Sequence, residues 1–423
     1  MKKKTILVIF ALLVSAVSVF ASDKIVSDKG NMQKNVSGNA WGVKGITNVM
    51  PVTTSTRIAA LGGTGTVLST GLDSLYLNPA NLAKQQAFFI DVPRVNVTIS
   101  PVAKLLKSIK KDMKIWDIIP LVINDLLTKG NNPVLFNADV GVGFAIKGFG
   151  FNIFADMGLF AYSPDLAGST QVFPMMTVGV SAGYAHSVYK TKLHNIDVGI
   201  ALNFMLRAYS DPYTVNEITT ALSSSGNIVD ILVPVNRGAM IGFMHPISVG
   251  MTYTFADQLS ASVAFNNIWA SAGGMHHFDK LVSGLGDVWS TGGRNKSDGK
   301  TRIGVLDTAS LDIGVAWNPK WKWFNPRVEF DLYDLTHYTE EQKQSFKYFF
   351  GAHMRLGIEL FVGEFLGLRF GVNGGRLSFG ARLDLWPIVI DLTYGWREWG
   401  EYAGDSPKDF LSLTVKIGWD RTK

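Results

Sequence analysis

The 423-residue sequence has no cysteine, which excludes disulfide scaffolds, thiol nucleophiles, CxxC redox sites and thiolate zinc sites together. Charge is also scarce, at 17% of residues, against roughly 25% in soluble domains. With 47% hydrophobic residues the chain can bury a large core, so a disordered protein is excluded. Long apolar runs are missing after the first twenty residues. The best helical candidate, Ile115 to Leu127, is broken by Asp117, Pro120, Asn124 and Asp125, so no helix is expected to span a bilayer. What is abundant is glycine, 43 residues, and aromatic side chains, 12%. That mixture favours strands.

The N-terminus reads as a secretory signal peptide over residues 1–21: Lys2, Lys3 and Lys4, then the apolar run Ile6 to Phe20, then Ala21 before Ser22 and Asp23. A membrane anchor is the alternative, but the run sits at the short end of the about 17–25 residues needed. Loss of the three lysines takes the formal charge from +6 to +3, too weak and scattered for a nucleic-acid partner.

Period-two alternation dominates the mature chain. Leu411, Leu413, Val415, Ile417 and Trp419 interleave with Ser412, Thr414, Lys416 and Gly418; Ile390, Leu392, Tyr394 and Trp396 interleave with Asp391, Thr393, Gly395 and Arg397. Each pattern is a strand with one apolar face. Fourteen such segments are expected, at 86–100, 133–147, 148–162, 173–190, 192–208, 237–255, 258–269, 308–318, 324–335, 346–362, 364–373, 376–385, 387–399 and 409–420. Short connections alternate with long ones, apart from Gly374-Gly375. An even strand count with that rhythm predicts an all-β fold, a 14-stranded antiparallel transmembrane β-barrel with both termini on the short-turn side. A soluble two-sheet sandwich is the alternative, in which the apolar faces would pack inward.

Before the first strand stands Arg57-Ile-Ala-Ala-Leu-Gly-Gly-Thr-Gly-Thr-Val-Leu-Ser-Thr-Gly-Leu-Asp-Ser-Leu-Tyr-Leu-Asn78-Pro79-Ala80-Asn81-Leu82-Ala83. Ala60, Gly63, Asp73, Asn78, Pro79, Ala80 and Leu82 resemble the hatch of the FadL-like outer-membrane transporters, which place a Gly-rich stretch and an acidic residue ahead of Asn-Pro-Ala-x-Leu. The resemblance in residue identity covers about 57–83; in layout it covers the mature chain. It implies a signal peptide at 1–21, a plug or hatch at 22–85 folded in the lumen, and a barrel at 86–423 with long extracellular loops. An ordinary turn before strand one is the alternative. Physically, an Asn-Pro step suits a bend in which the amide bonds nearby backbone and proline fixes φ. The run Ser22 to Thr56 has no counterpart in shorter hatches.

The same resemblance implies passive uptake of long-chain fatty acids or other hydrophobic small molecules across the outer membrane of a diderm bacterium. The ligand would pass from a loop groove to a lumen pocket and leave by a plug shift or a lateral opening in the third strand. Phe154, Asp156 and Gly158 are expected to face the lumen with Asn152 at that opening, while Phe149, Phe151, Ile153, Met157 and Leu159 meet lipid. An unbroken strand is the alternative. A PorV-like barrel that holds or shuttles secreted or surface proteins is a second reading, and a general porin a third. Inward charges, Arg355, Glu359, Arg369, Arg382 and Asp384 together with Asp312, Glu329, Asp331, Asp391 and Arg397, are expected to form ion pairs that anchor the plug.

Other chemistry is thin. His276, His277 and Asp279 lack further ligands at a metal-binding spacing, and Gly62-Gly63-Thr64-Gly65 lacks the Lys-Ser/Thr of a phosphate loop. Glu340-Glu341 and Glu398/Glu401 lie at loops or rims. No enzyme, metal or cofactor is expected; the partners are outer-membrane lipid and a hydrophobic ligand, with the chain a monomer. Trp317, Trp321 and Trp323, then Trp386, then Trp396, Trp399 and Tyr402 are expected at the membrane interfaces. The stretch 101–129 alternates Leu105, Leu106, Ile109 and Met113 with Lys104, Lys107, Lys110 and Lys111, the pattern of an amphipathic helix with a cationic face.

Overall fold

The alternating segments form hydrogen-bonded strands, and their polar and apolar faces are sorted in the reverse of a soluble protein. On the last strand Leu413, Val415 and Ile417 are exposed while Ser412 and Thr414 are buried; nearby, Leu377, Phe379 and Leu383 are exposed while Ser378 and Arg382 are buried. A sandwich would hide the leucines and wet the serines. An apolar outside around a polar inside is the arrangement of a wall that meets lipid.

The structure, a computed structural model, describes residues 55–85, 88–103, 134–162, 171–211, 213–214, 217, 220, 237–268, 275–291, 302–303, 309–319, 321, 324–336, 349, 353–363, 365–398 and 407–420. The chain divides into two units, residues 1–43 and 44–423, and every described residue belongs to the second. The signal peptide, residues 22–54 of the expected plug, the amphipathic stretch from Lys104 onward, Glu340-Glu341, Trp323, Trp399, Glu401 and Tyr402 lie outside the described residues.

The wall strands are β1 (Phe89–Ser100), β2 (Val134–Ile146), β3 (Phe149–Tyr162), β4 (Gln171–Lys190), β5 (His194–Ser210), β6 (Ala239–Met244 and Ile247–Phe255), β7 (Leu259–Ile268 and Met275–Phe278), β8 (Arg302–Ile303 and Ser310–Trp317), β9 (Phe324–Leu332), β10 (Met354–Val362), β11 (Leu366–Asn373), β12 (Arg376–Leu385), β13 (Ile388–Glu398) and β14 (Pro407–Asp420). Each pairs antiparallel with its neighbour in sequence, and β1 pairs with β14, Val95 opposite Val415, so the fourteen strands close. A two-residue strand, Tyr213–Thr214, adds to the upper end of β4. Closure leaves no wall strand at an edge among the described residues.

Turn chemistry sets the short end. Lys147 and Gly148 take φ of 47° and 83°, and Ala256 and Asp257 take 51° and 57°, the left-handed pair a two-residue hairpin requires. The expected continuous segment 237–255 is parted, and β7 and β8 each gain a short piece outside the expected 258–269 and 308–318. In β6 the break falls at His245-Pro246, because proline has no N–H for the ladder; the Pro246 carbonyl still accepts the Asn203 N–H at 3.0 Å. In β1, Val92-Pro93 makes an irregularity between Asp91 and Arg94 toward both neighbours. Trp317, Trp321 and Trp386 are exposed at the short-turn end, the first two in edge contact at 5.7 Å, and Trp396 is exposed toward the other end.

Residues 55–85 lie inside the barrel as α1 (Thr56–Ala60), a 3₁₀ turn at Gly71–Asp73, α2 (Ser74–Leu77) and a second 3₁₀ turn at Pro79–Lys84. A third helix, α3 (Leu281–Thr291), belongs to the connection between β7 and β8.

Candidate functional site

The plug is held by two unlike surfaces. Toward β1, β2, β4 and β5 the contact is apolar: Leu72, Leu75, Leu82 and Ala83 pack on Phe89, Ala145, Ala185 and Ala201. Fully buried leucines contribute about 1.5–3 kcal/mol each, and Leu75 and Leu82 are at 0% exposure. The wall yields space by carrying no side chain. A Cβ on Gly199 would lie 2.5 Å from the Pro79-Ala80 backbone, one on Gly250 would lie 1.9 Å from Asn78 Oδ1, and one on Gly371 would lie 2.0 Å from the Gly62 nitrogen.

Toward β9–β11 and β13 the contact is charged. Arg57 donates from Nε and Nη2 to the two oxygens of Glu359 at 3.1 and 2.8 Å. Arg369 donates to the same carboxylate at 2.7 Å and also to Asp391. Burial disfavours the Arg57 charge, yet Glu359 beside it holds the guanidinium above its usual range. Glu329 and Asp331, two residues apart on one face of β9, do not form the ion pairs expected of them with plug side chains. They accept main-chain N–H groups instead: Gly65 and Thr66 donate to Asp331 at 2.9 and 3.1 Å, Val67 and Leu68 to Glu329 at 2.5 and 3.2 Å. A turn with four orphan donors is thereby satisfied by two carboxylates.

The Asn-Pro-Ala motif ties the two halves of the plug together. Asn78 accepts the Ala80 N–H at 3.0 Å through Oδ1 and donates to the Thr66 carbonyl at 2.7 Å and to Thr252 at 3.2 Å. Asn81 donates to the same carbonyl and to Ser69. Gly63 sits at φ +84° with its carbonyl accepting from Arg355 at 3.0 Å. Asp73 accepts from Ser55 at 3.1 Å, and desolvation pushes its carboxyl up against the pull of Arg57 and Arg94. Tyr76 accepts from Asn152 and Ser181 at 2.8 and 2.9 Å, and burial raises its phenol.

Among the five expected anchoring charges, Arg355 and Glu359 touch the plug and Arg369 acts through Glu359. Arg382 departs from expectation: it bonds to Asp384 at 3.3 Å, its neighbour two residues along the same face of β12, rather than to the plug. Arg382 lines a cavity of about 40 Å³ together with Arg57, Asp73, Arg94, Asp391 and Lys416. That is room for a few water molecules.

The expected opening in β3 is absent. Asn152, Phe154 and Asp156 are buried on the lumen side, and Phe149 and Ile153 are exposed outside. Yet Asp156 lies opposite both Asp139 and Thr177, and Gly158 opposite both Asn137 and Met175, in ladders without a register shift. Gly158 lacks only a side chain, and ladders are made by backbone groups; Asn137 also bridges β2 to Asp156 at 2.9 Å. Leu159, expected at lipid, is buried.

One feature was not picked out residue by residue. On the inner face above the plug, Met205 pairs with Met244, and Tyr209 pairs with Met175 and Met240. A Cβ on Gly179 would touch both Met205 and Phe154, and Phe154 meets Tyr76 of the plug edge-on at 6.1 Å. The signal was available as methionines and a tyrosine at inward parity in β4–β6. No group of three or more His, Asp or Glu placed to hold a metal occurs among the described residues.

No family model matches the sequence, and no curated protein matches it. The fold is similar to solved structures that include the CymD monoaromatic hydrocarbon channel, at 11% identity and TM-score 0.45 over 88% of this chain and 99% of that one. The Pseudomonas putida toluene transporter TodX matches at 12% identity and TM-score 0.44 over 86% and 97%. A Pseudomonas aeruginosa FadL homologue matches at 11% and 0.41 over 88% and 99%. These identities and scores are low, and the fold described above rests on the chain's own ladders.

Proposed function

We propose that the chain is a FadL-like channel of a bacterial outer membrane that passes hydrophobic small molecules, long-chain fatty acids among them, by diffusion. The observation that carries the reading is the inward patch of Met175, Met205, Met240, Met244, Phe154 and Tyr209 above the plug, with Tyr76 of the plug as its floor. Methionine repacks around guests of different shape because its chain is unbranched and polarizable. A guest would enter at the long-loop end, settle against this patch, and leave toward the short-turn end when residues 55–70 shift from their polar anchors. The closed ladders of β3 weigh against exit through that strand, and a lumen that holds the plug weighs against a general porin.

The test is uptake by liposomes containing the full chain. A fluorescent alkyl carboxylate should enter faster than in empty liposomes, and Met205→Lys should abolish the gain while the barrel keeps its heat-modifiable mobility. Liposome swelling in sugars should stay at the background of empty liposomes. Sugar entry without alkyl uptake would replace this reading with the porin, and neither activity would leave a non-transporting barrel.

A further inference from the structure

The helix α3 lies on the outside of the wall. On β5, Ala201, Met205 and Arg207 are buried toward the lumen, whereas Ile200, Leu202 and Phe204 are exposed, so Leu206 and Ala208, on the parity of Leu202 and Phe204, point outward. Ile241 pairs with Ala208, and Phe243 with Leu206; Phe278 pairs with Ala239. These outward side chains are the ones α3 covers through Leu281, Leu285 and Val288. Gly284 allows the close approach, since a Cβ there would lie 2.6 Å from Phe278 and 2.7 Å from Ile241.

The uncovered side of α3 is not uniform. At 100° per residue, Val282, Gly286 and Trp289 form one stripe, and Ser283 and Ser290 form the next. Val282 is 58% and Trp289 76% exposed, while Ser290 returns its hydroxyl to the Gly286 carbonyl. Trp289 is joined to the apolar belt by rings: it meets Phe243 at 6.1 Å, and Phe243 meets Phe204 at 5.2 Å. The helix therefore has three sides, one on the wall, one apolar and continuous with the belt, and one polar. That is the pattern of a helix at the boundary between headgroups and acyl chains, where an indole is favoured.

We infer that α3 is a membrane-interfacial element that seats in the outer-facing leaflet, with Val282 and Trp289 among lipid and Ser283 and Ser290 at the water side. Its occupant is the lipid leaflet itself, because the apolar stripe extends the lipid-facing belt without a break. The inference rests on the barrel spanning a membrane, and the test separates the two.

Because the chain has no cysteine, single labels are unambiguous. Full-length Val282→Cys, Ser290→Cys, Ile153→Cys as a belt reference and Lys192→Cys as an aqueous reference would each carry a nitroxide and be folded into liposomes. Collision with oxygen and with a water-soluble nickel chelate is then compared. The label at 282 should behave like that at 153, with an oxygen-to-nickel ratio severalfold above the label at 290, which should approach that at 192. A water-like label at 282 with a lipid-like label at 153 overturns the inference alone; a water-like label at 153 overturns the membrane reading with it. Shielding of 282 from both reagents, with spin–spin broadening between copies, would assign the stripe to a second chain and also overturn the inference. As a label-free check, Trp289→Phe should reduce quenching by lipids brominated near the headgroup, and unchanged quenching counts against it.

Discussion

Replacing Asn78 by alanine should loosen the plug and spare the barrel. The deletion removes three hydrogen bonds, but their partners fare differently. The Thr66 carbonyl keeps Asn81 Nδ2 at 3.2 Å, and Thr252 keeps Asn81 Oδ1 and Ser262 at 3.0 and 2.8 Å. Only the Ala80 N–H, buried at 3.0 Å from Asn78 Oδ1, is left without its acceptor. An orphaned buried donor costs about 1–3 kcal/mol and each of the two other lost bonds about 1 kcal/mol net, so about 3–5 kcal/mol is expected. At 1.4 kcal/mol per factor of ten, plug opening rises by roughly a hundredfold to a few thousandfold. Hydrogen exchange reads this at Gly65, Thr66, Val67 and Leu68, whose amides are held by Asp331 and Glu329. Those amides should lose protection while amides of β10–β14 keep theirs. Unchanged protection would refute the reasoning, and equal loss in plug and wall would show that Asn78 supports the barrel instead.

Gly250→Ala should give a similar release by another route, since its Cβ would lie 1.9 Å from Asn78 Oδ1; faster proteolysis of the plug checks it. Gly286→Ala meets nothing within 4 Å and should stabilise α3 by about 0.5–1 kcal/mol, read as a small rise in its amide protection. Glu359→Gln leaves Arg57 without its carboxylate and Arg369 with Asp391 alone, and breaking such a buried pair costs about 3–5 kcal/mol, seen as a lower melting temperature and higher single-channel conductance. Glu217 has its carboxyl lowered to about 2 by hydrogen bonding to Arg237, with Thr214 adding to it. Its tether is therefore whole above the ordinary value of 4.5 and lost as pH falls through about 2. Being exposed, it is worth little at high salt, so exchange at Thr214 should speed up only in that acid window.

The wall was legible because alternation is a local signal, written in each strand by its own residues, as in Leu411 to Ile417. The turn at Lys147-Gly148 and the bend at Asn78 were legible for the same reason. What escaped depends on partners far apart in the chain. Glu329 and Asp331 read as ion-pairing charges, because nothing near them shows that a turn 260 residues earlier would present bare N–H groups. Gly199, Gly250 and Gly371 look like ordinary strand glycines until the plug is seen against them. Gly158 misled in the opposite sense, a glycine in a strand that nonetheless pairs fully on both sides.

Thr56 opens α1 at the seam where the barrel shuts. Its hydroxyl lies 2.8 Å from Asn96 on β1 and 2.8 and 2.7 Å from Ser412 and Thr414 on β14, the first and last strands of the wall. Ser412 and Thr414 also donate to Asn96 at 3.1 Å each, so the two ends of the wall hold one another without the plug. The hatch is thus fastened to the one junction that makes the sheet a ring, and a change at Thr56 reaches the first and last strands together.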